Sequence, residues 1–598
     1  MELAALRAFL SQFRPEDART RQHVSATLSR LRGLWKRRPE LFAPQTIAEL
    51  RSIAQTVEGT APPANRPGSG SVAARVSEPE DASAAVRPDL EAARGVLAAT
   101  YGYKSFRPGQ EAIIGAVLAG RDCVGVMPTG AGKSLTYQIP ARLLPGTTLV
   151  VSPLIALMKD QVDALSELGI RATAINSTLP YDEKRRRLEE LWSGRYELVY
   201  AAPEGIEASV GDALARTRLG LIAVDEAHCI SQWGHDFRPA YRNLAGLKRR
   251  FGGVPILALT ATATGEVTRD IVEQLAMRDP VFFRGSFFRP NLNLSFVRKG
   301  AEGPRTRDAI LSLVHARRGD SGIIYCLSRK SVEKTAELLR DSGIEAVAYH
   351  AGMDAQTRTR AQDAFRRDDA EVVVATVAFG MGIDKSNIRY VIHRDMPRSI
   401  ESYYQEVGRA GRDGLPSECV LFYSWADVLA YDRFSEELAG DLARRQRQQV
   451  REMFALADRP TCRHQAVLHY LGEKMGGCQG ACDVCGNRAT LELLAGAGHG
   501  KRSRGRSKGA STPTAPLPAP RAPVSGDEPL FLALKKLRKE IADARGVPAF
   551  VVFSDATLRA MAAHHPRTAS ELLSVSGVGP VKLEAYGQRF LALLSTFA

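Results

Sequence analysis

The stretch DCVGVMPTGAGKSLTYQ, Asp122 to Gln138, decides the fold of this chain. Its first six residues are mostly apolar, as expected for a buried parallel strand. A glycine-rich loop, TGAGKS, follows and opens a helix, so that backbone N–H groups and the helix N-terminus can face a phosphate. This order of strand, loop and helix predicts a nucleotide-binding α/β domain.

The residues of the loop have the chemistry that a triphosphate requires. The Lys133 ammonium is predicted to reach the β and γ phosphates, and the Ser134 hydroxyl is predicted to ligate Mg²⁺. The strict pattern has glycine where this chain has Met127, and a glycine turn with a purely structural role is the alternative. The predicted cofactor-binding loop comprises Thr129, Gly130, Gly132, Lys133 and Ser134.

A second candidate element is LIAVDEAHC, Leu221 to Cys229, in which two acids end an apolar run. Asp225 is predicted to hold Mg²⁺ directly or through a water, and Glu226 to orient and polarise the attacking water. Two adjacent acids also occur at solvated strand ends. In combination with the GKS loop, they predict an enzyme that hydrolyses a nucleoside triphosphate.

Short apolar runs alternate with helical patterns around these motifs. The runs form two successive series, each of which predicts buried parallel strands. The chain is therefore predicted to hold two tandem doubly wound α/β lobes. The runs are DCVGVM, TTLVVS, YELVYAA, LGLIAVD and PILALTATA, then SGIIYCL, EAVAYH, EVVVAT, YVIHRD and SECVLFY.

The chain has 598 residues, enough for about three to five domains. Its net charge of +15 favours a polyanionic partner such as nucleic acid, with a merely solvated basic surface as the alternative. No apolar run approaches the roughly 20 residues of a membrane span, and the N-terminus lacks the pattern of a secretion signal. We therefore expect no membrane association and a cytoplasmic location, on the nucleoid in a bacterium, with a nuclear location left open.

Four of the eight cysteines are clustered with the spacing C-x15-C-x3-C-x2-C. Four thiolates can enclose a structural Zn²⁺ tetrahedrally, and with every position filled by cysteine no ligand site stays open for catalysis. Redox-active or free thiols are the alternative. The predicted zinc ligands are Cys462, Cys478, Cys482 and Cys485.

Seven motifs occur in the order found in superfamily 2 helicases. The stretch SQWGHDFRPAY behind the acids, and SFFRPNL (Ser286–Leu292), make the chain resemble the RecQ helicases in particular. The resemblance covers about residues 90–486 and 527–598. The seven motifs are FRPGQ, MPTGAGKS, SPLIALMKDQV, DEAHC, LTATAT, FGMGIDK and QEVGRAGRDG.

The resemblance implies roles for residues outside the phosphate loop. Tyr103, Arg107 and Gln110 resemble the group that recognises adenine in this family. Arg409 and Arg412 resemble the pair that reaches the triphosphate from the second lobe, where an arginine stabilises transition-state charge. A surface salt bridge is the alternative for the two arginines. The implied catalytic set is Lys133, Asp225, Glu226, Arg409 and Arg412.

The aromatic stretch behind the acids resembles a DNA-sensing loop of the same family. Trp233 and Phe237 are implied to stack on single-stranded bases, a contact that tolerates any sequence. His235 and Arg238 are implied to relay DNA occupancy toward the acid pair. A packed aromatic loop without a ligand is the alternative.

Residues 529–598 resemble the HRDC domain of RecQ helicases. The stretch VSGVGPVKLEAYG, Val575 to Gly587, has a glycine turn that opens a helix and can contact phosphate. Beside the cysteines, Arg463 and His464 are further candidates for DNA contact. A protein-binding or tethering role is the alternative for the domain. Its first helix is predicted to present a basic face made of Lys535, Lys536, Arg538 and Lys539.

Composition and resemblance together predict the domain order. Few large apolar residues and many Pro, Ala and Ser residues mark two linkers. The predicted domains are a helical N-terminal segment (1–58), a linker (59–88), lobe 1 (89–287), lobe 2 (288–425), a helical zinc-binding module (426–487), a basic Pro-rich linker (488–526) and the all-α HRDC domain (527–598).

The resemblance implies an ATP-dependent DNA helicase that moves 3′ to 5′ on single-stranded DNA and acts in DNA repair and recombination. The implied cofactors are ATP, Mg²⁺ and Zn²⁺, and the implied partners are single-stranded and tailed or forked DNA. Protein partners are expected at the N-terminal segment or the HRDC domain. A winged-helix domain, frequent between the zinc module and HRDC, is predicted to be missing. This motivates two alternatives: a DNA-stimulated translocase or annealing factor with weak unwinding, and a non-catalytic DNA-binding scaffold.

Overall fold

The computed structural model describes residues 89–153, 155–206, 210–231, 237–300, 305–376, 379, 385–435, 440–486 and 528–597. The predicted N-terminal segment, both predicted linkers, Trp233 and His235 lie outside the described residues. All described residues belong to one unit, residues 86–598, of the two into which the chain divides.

Lobe 1 is built on a seven-stranded sheet in which every strand pair is parallel, with the order β3-β4-β2-β5-β6-β1-β7. The strands β1, β2 and β4 are buried along their whole length because helices cover both faces of the sheet. The strands are β1 (Cys123–Val126), β2 (Thr147–Val151), β3 (Ala172–Ile175), β4 (Leu198–Ala201), β5 (Leu219–Val224), β6 (Ile256–Thr260) and β7 (Val281–Arg284).

The helices of lobe 1 follow the strands in alternation, which confirms the doubly wound architecture. They are α1 (Leu90–Val96), α2 (Gln110–Leu118), α3 (Leu135–Leu143), α4 (Ile155–Glu167), α5 (Tyr181–Trp192), α6 (Pro203–Gly205), α7 (Gly211–Ala215), α8 (Leu247–Arg250) and α9 (Gly265–Gln274).

Lobe 2 is built on a second all-parallel sheet, with the order β10-β11-β9-β12-β13-β8. Its strands are β8 (Leu292–Arg298), β9 (Ser321–Tyr325), β10 (Ala346–Tyr349), β11 (Val372–Ala375), β12 (Ile388–His393) and β13 (Ser417–Tyr423). Its helices are α10 (Thr306–Ala316), α11 (Arg329–Asp341), α12 (Ala355–Arg366) and α13 (Ile400–Val407). The predicted second lobe is therefore confirmed.

Three strands escaped the sequence prediction, and all three are edge strands. The strands β3 and β7 close the two edges of the first sheet, and β8 closes one edge of the second. An edge strand has a neighbour on one side only, and its residues need not form a continuous apolar run. In β7, for example, partly buried residues alternate with exposed residues along the strand.

Two helical regions follow the lobes. The first contains α14 (Trp425–Phe434), α15 (Gly440–Asp458) and α16 (Arg463–Tyr470), after which come the last three clustered cysteines. The second contains α17 (Glu528–Arg545), α18 (Ala549–Val552), α19 (Asp555–His564), α20 (Ala569–Ser574) and α21 (Pro580–Ser595), packed around an apolar core. Among the described helices, none combines the length and the apolar character that a membrane span requires.

One predicted surface feature of the second helical region is wrong. Arg538 does not lie on an exposed basic face of α17, because its side chain is buried and ion-paired with Asp555 at 2.6 Å. The pair also holds the start of α19, since Arg538 donates to the Phe553 carbonyl at 2.9 Å. A buried arginine with a carboxylate partner is part of the core of this region.

Candidate functional site

The phosphate loop joins the end of β1 to the start of α3. Its two glycines at Gly130 and Gly132 have φ values of +82° and +80°, a backbone conformation that other residues rarely adopt. A Cβ atom at Gly132 would lie 2.4 Å from the Gln110 amide nitrogen. The loop therefore requires glycine at this position. In the same loop, the Lys133 ammonium folds back and donates to the Met127 carbonyl at 3.2 Å.

The three residues expected to recognise adenine lie beside this loop. The Gln110 amide nitrogen donates to the Ala131 and Gly132 carbonyls at 3.2 and 2.9 Å. Its oxygen accepts the Arg107 backbone N–H at 2.9 Å, and the Arg107 guanidinium donates to the Gly130 carbonyl. Both ends of the Gln110 amide thus bind the protein, and recognition of a purine by this group stays a prediction. Tyr103 is exposed beside them and lines the same cavity.

The acid pair follows β5, at the edge of the sheet where β1 also ends, because parallel strands share their carboxyl ends. Glu226 has a φ of +49°, in the left-handed region that costs a residue with a side chain about 1 kcal/mol or more. Its N–H donates to the Asp225 carboxylate at 3.0 Å, and the Tyr241 hydroxyl donates to the Asp225 carbonyl at 2.9 Å. The backbone of the acid pair is thus held in a strained turn by these two hydrogen bonds.

His228 links the acid pair to the end of β6, a connection that the sequence reasoning missed. Its Nδ1 lies 3.4 Å from a Glu226 carboxylate oxygen and 2.9 Å from the Thr260 hydroxyl. The Thr260 hydroxyl donates its one hydrogen to the Thr262 carbonyl at 2.9 Å, so its oxygen accepts from His228. This arrangement assigns the proton of His228 to Nδ1, from which it is donated to Thr260 with the Glu226 carboxylate nearby. A histidine directly behind two acids was the available signal.

Two of the four predicted DNA-sensing residues, Phe237 and Arg238, belong to the described part of the chain. The Arg238 guanidinium donates to the Pro153 carbonyl at 3.3 Å, which ties the stretch to the loop after β2. The Arg242 guanidinium lies 5.8 Å from the centre of the Phe237 ring, within the range of a cation–π contact. Phe237 is partly exposed, and its stacking on a base stays a prediction.

Both lobes contribute to one cavity of about 670 Å³. Arg409 and Arg412, from the loop after α13, line it together with the phosphate loop and the acid pair. A Cβ atom at Gly130 would lie 3.4 Å from the Arg412 Cα, so the loops of the two lobes are in contact. The Arg389 guanidinium binds both carboxylate oxygens of Asp413 at 2.7 Å, which anchors the residue next to Arg412. The predicted phosphate loop, the acid pair and the two arginines of lobe 2 thus all line one cavity.

The last helical region also lines this cavity, which the sequence reasoning did not foresee. The Gly577 N–H, in the glycine turn with a candidate role in phosphate contact, donates to the Gly102 carbonyl of lobe 1 at 3.2 Å. Lys582 lines the cavity and donates to the Val551 and Val552 carbonyls at 2.8 and 3.0 Å. Burial lowers the pKa of Lys582 to about 8.

The clustered cysteines lie close enough to share one ion. The sulfur atoms of Cys462, Cys478, Cys482 and Cys485 are all within 4.8 Å of one another. Thiolates are the preferred donors of Zn²⁺, and four of them close the coordination shell. The residues therefore fit a structural zinc ion.

The two neighbours of the cysteines have structural roles, and their predicted contact with DNA is wrong. The Arg463 guanidinium is buried and binds the Asp483 carboxylate at 2.9 and 3.1 Å. The His464 ring is buried, with its Nε2 3.0 Å from the Leu292 carbonyl of β8. Burial and desolvation lower the pKa of His464, so its neutral form predominates at neutral pH.

Comparison with known protein families gives matches along most of the described chain. Residues 107–271 match the DEAD/DEAH box helicase family, and residues 305–414 match the helicase conserved C-terminal domain. Residues 425–486 match the RecQ zinc-binding family, and residues 527–594 match the HRDC domain.

Three similar proteins are named ATP-dependent DNA helicase RecQ. The ATP-dependent DNA helicase RecQ of Pasteurella multocida is 39% identical, over 85% of this chain and 94% of that protein. The RecQ helicase of Haemophilus influenzae is also 39% identical, over 84% and 95%. That of Bacillus subtilis is 38% identical, over 85% and 99%.

Proposed function

This chain belongs to the RecQ family of ATP-dependent DNA helicases, and on that premise we propose that it hydrolyses ATP in the cavity between its lobes to drive strand separation. The observation that carries the proposal is the convergence at one cavity of the phosphate loop, the acid pair and two arginines from the opposite lobe. In hydrolases of this kind, positioning and electrostatic stabilisation supply most of the rate. The cavity can provide positioning and electrostatic stabilisation with groups from both lobes.

The proposed roles follow from these positions. Lys133 turns from the Met127 carbonyl to the β and γ phosphates when ATP enters. Glu226 orients the attacking water, and the His228 ring lies beside its carboxylate, with Nδ1 at 3.4 Å. Arg409 and Arg412 stabilise the negative charge that develops on the transferred phosphoryl group, so that hydrolysis requires closed lobes.

We also propose Mg²⁺ as the metal of this site, with Ser134 and Asp225 as its ligands. A hydroxyl and a carboxylate are hard oxygen donors, the type that Mg²⁺ prefers. When bound, Mg²⁺ neutralises charge on the phosphate oxygens. Zn²⁺, by contrast, is assigned to the four cysteines, where it holds the module together.

The DNA-related proposals rest on the family rather than on the cavity. We propose translocation from 3′ to 5′ on single-stranded DNA, a preference for tailed or forked substrates, and a role in repair and recombination. Phe237 and Arg238, which follow the acid pair along the chain, are the proposed sensors of single-stranded DNA among the described residues. A protein with this substrate is proposed to act in the compartment that holds the chromosome.

The proposed domain boundaries are those that the sequence predicted. The change of sheet between β7 and β8 supports a boundary between lobes near residue 287. The start of α14 at Trp425 supports a boundary near residue 425.

Strand separation on three duplexes tests the proposal: one with a 3′ tail, one with a 5′ tail and one blunt, each with ATP and Mg²⁺. We expect separation of the 3′-tailed duplex alone, and none by a Lys133→Ala protein, because the substitution removes the cation that binds the phosphates. DNA-stimulated ATP hydrolysis without separation of any duplex would instead identify a translocase. Absence of ATP hydrolysis by the wild-type protein would identify a binding scaffold.

A further inference from the structure

Arg289 lies in the connection between the two sheets, after β7 and before β8. Its Nη1 donates to the Thr129 carbonyl of the phosphate loop at 2.7 Å. Its Nη2 donates to the Ala410 and Gly411 carbonyls of lobe 2 at 3.0 and 2.7 Å. One side chain at the joint between the lobes therefore binds the backbone of both catalytic loops.

The chemistry of these contacts suits arginine and no other residue. Two further contacts, from Nη1 to the Gly408 carbonyl at 3.4 Å and from Nε to the Asn291 side-chain oxygen at 3.2 Å, complete the set. Every recorded acceptor is thus an amide oxygen, and a planar fork with five N–H donors can reach them together. A lysine ammonium has three donors at a single point and cannot span two loops.

Asn291 extends the same connection. Its amide nitrogen donates to the Gly411 and Leu415 carbonyls at 2.9 and 3.0 Å. The Gly411 backbone has a φ of +56°, and a Cβ atom there would lie 2.4 Å from that nitrogen. The turn after Arg409 is therefore packed directly on the joint, without intervening side chains.

We propose that Arg289 is a positioning residue for ATP hydrolysis. By holding the 408–411 backbone against the phosphate loop, it sets where Arg409 and Arg412 stand relative to Lys133. The inference rests on the proposed ATP hydrolysis and adds to it the device that places the two arginines. Burial, and to a smaller extent the nearby guanidiniums of Arg412 and Arg107, lower the pKa of Arg289.

The Nη donors of Arg289 bind backbone carbonyls of both loops at once, and kinetics distinguish such a positioning role from direct phosphate binding. A phosphate-binding arginine would raise the KM for ATP when removed. A positioning arginine would lower kcat, because the transition state alone requires the arginines of lobe 2 in place. A displacement of about 1 Å at a catalytic group can reduce the rate about 100-fold.

The test compares Arg289→Ala and Arg289→Lys with Arg284→Ala as the matched control. Arg284 is the last residue of β7, directly before this connection, and its guanidinium donates to the Leu471 carbonyl, away from the cavity. We expect kcat to fall about 10- to 100-fold in Arg289→Ala with a near-constant KM, a smaller fall in Arg289→Lys, and wild-type kcat in the control. A raised KM with unchanged kcat, or unchanged kinetics, would overturn the proposal.

Two further measurements separate positioning from loss of structure. ADP with aluminium fluoride resembles the transition state, whereas a non-hydrolysable ATP analogue resembles the ground state. We expect Arg289→Ala to lose affinity for the first and retain it for the second; equal loss of both would overturn the proposal. Adding Arg289→Ala to a protein that already carries Arg409→Ala and Arg412→Ala should cost little further activity, whereas an independent loss would contradict an action through these two arginines.

Failure of this inference is distinguishable from failure of the proposed function. If the wild-type protein hydrolyses ATP and Arg289→Ala retains full kcat, the positioning role alone is wrong. If the wild-type protein and the Arg284→Ala control both lack ATP hydrolysis, the proposed function is wrong.

Discussion

The zinc module (residues 425–486) and the HRDC domain (residues 528–597) are both helical regions that contact the lobes, but they are attached in different ways. The zinc module continues the edge of the second sheet: Leu294 of β8 donates to the Ala481 carbonyl at 3.1 Å, and Asp483 donates to the Leu294 carbonyl at 2.9 Å. The Phe296 N–H donates to the Asp483 carboxylate at 3.0 Å. An edge strand with unpaired groups is thereby closed.

The HRDC domain contacts the lobes partly through charged side chains at the surface. Arg545 pairs with Glu167 of lobe 1 at 2.9 Å, and Lys539 pairs with Asp369 of lobe 2 at 2.7 Å. The Tyr586 hydroxyl also donates to Glu167 at 3.0 Å. Exposed pairs of this kind contribute about 0–1 kcal/mol each, whereas removal of one partner from a buried pair costs about 3–5 kcal/mol. From this difference we expect the HRDC domain to separate from the lobes more readily than the zinc module does.

Removal of zinc should give the largest difference between the two regions, because it should unfold the zinc module and leave the HRDC domain folded. Structural zinc contributes about 10–16 kcal/mol to the folding of small cysteine-rich modules, so a strong chelator should unfold the zinc module. We expect fast hydrogen exchange at the Phe296 amide and unchanged exchange at the Gly577 amide, measured by mass spectrometry or NMR. Equal acceleration at both amides would show that the two regions are coupled.

The second prediction concerns Asp483, which accepts from the Phe296 N–H and the Arg463 guanidinium. Asp483→Ala leaves a buried arginine without its partner and should cost about 3–5 kcal/mol of stability, read from thermal unfolding together with zinc content. Asp458→Ala is the matched control, because this acid of the same module is exposed and lies 3.5 Å from Arg298. Similar unfolding of the two variants would contradict the structural role of Asp483.

The third prediction concerns the attachment of the HRDC domain. Glu167→Ala removes the acceptor of both Arg545 and Tyr586, a change that should weaken docking by about 1 kcal/mol. We expect faster exchange at the Gly577 amide, whose acceptor is the Gly102 carbonyl, and unchanged exchange at Phe296. Restored protection in the pair Glu167→Arg and Arg545→Glu would assign the effect to the ion pair.

A rise in salt concentration should give the smallest effect, again a faster hydrogen exchange at the Gly577 amide. The Debye length falls from about 10 Å at 0.1 M to about 3 Å at 1 M salt, so exposed pairs are screened and buried ones are not. Exchange at Gly577 should accelerate modestly over this range while exchange at Phe296 stays constant. A salt-insensitive Gly577 amide would mean that apolar contacts, rather than charges, hold the domain.

The sequence by itself determined the central strands, the phosphate loop, the acid pair and the four clustered cysteines. Each is a local pattern: a continuous apolar run, glycines beside a lysine, or cysteines at a metal-ligand spacing. Local patterns are readable because the chemistry of these sites needs particular residue types at short separations along the chain.

The tertiary structure alone decided which partners the remaining polar groups have. Edge strands, the buried Arg538 and Arg463, and the docking of Gly577 on lobe 1 all depend on a second segment far away in the sequence. The same holds for Arg289, whose five donors have a role only once two distant loops present their carbonyls to it. The arginine side chain has the same five N–H donors at a solvated surface and between two lobes. Its role is set by the acceptors that the fold brings within hydrogen-bond distance.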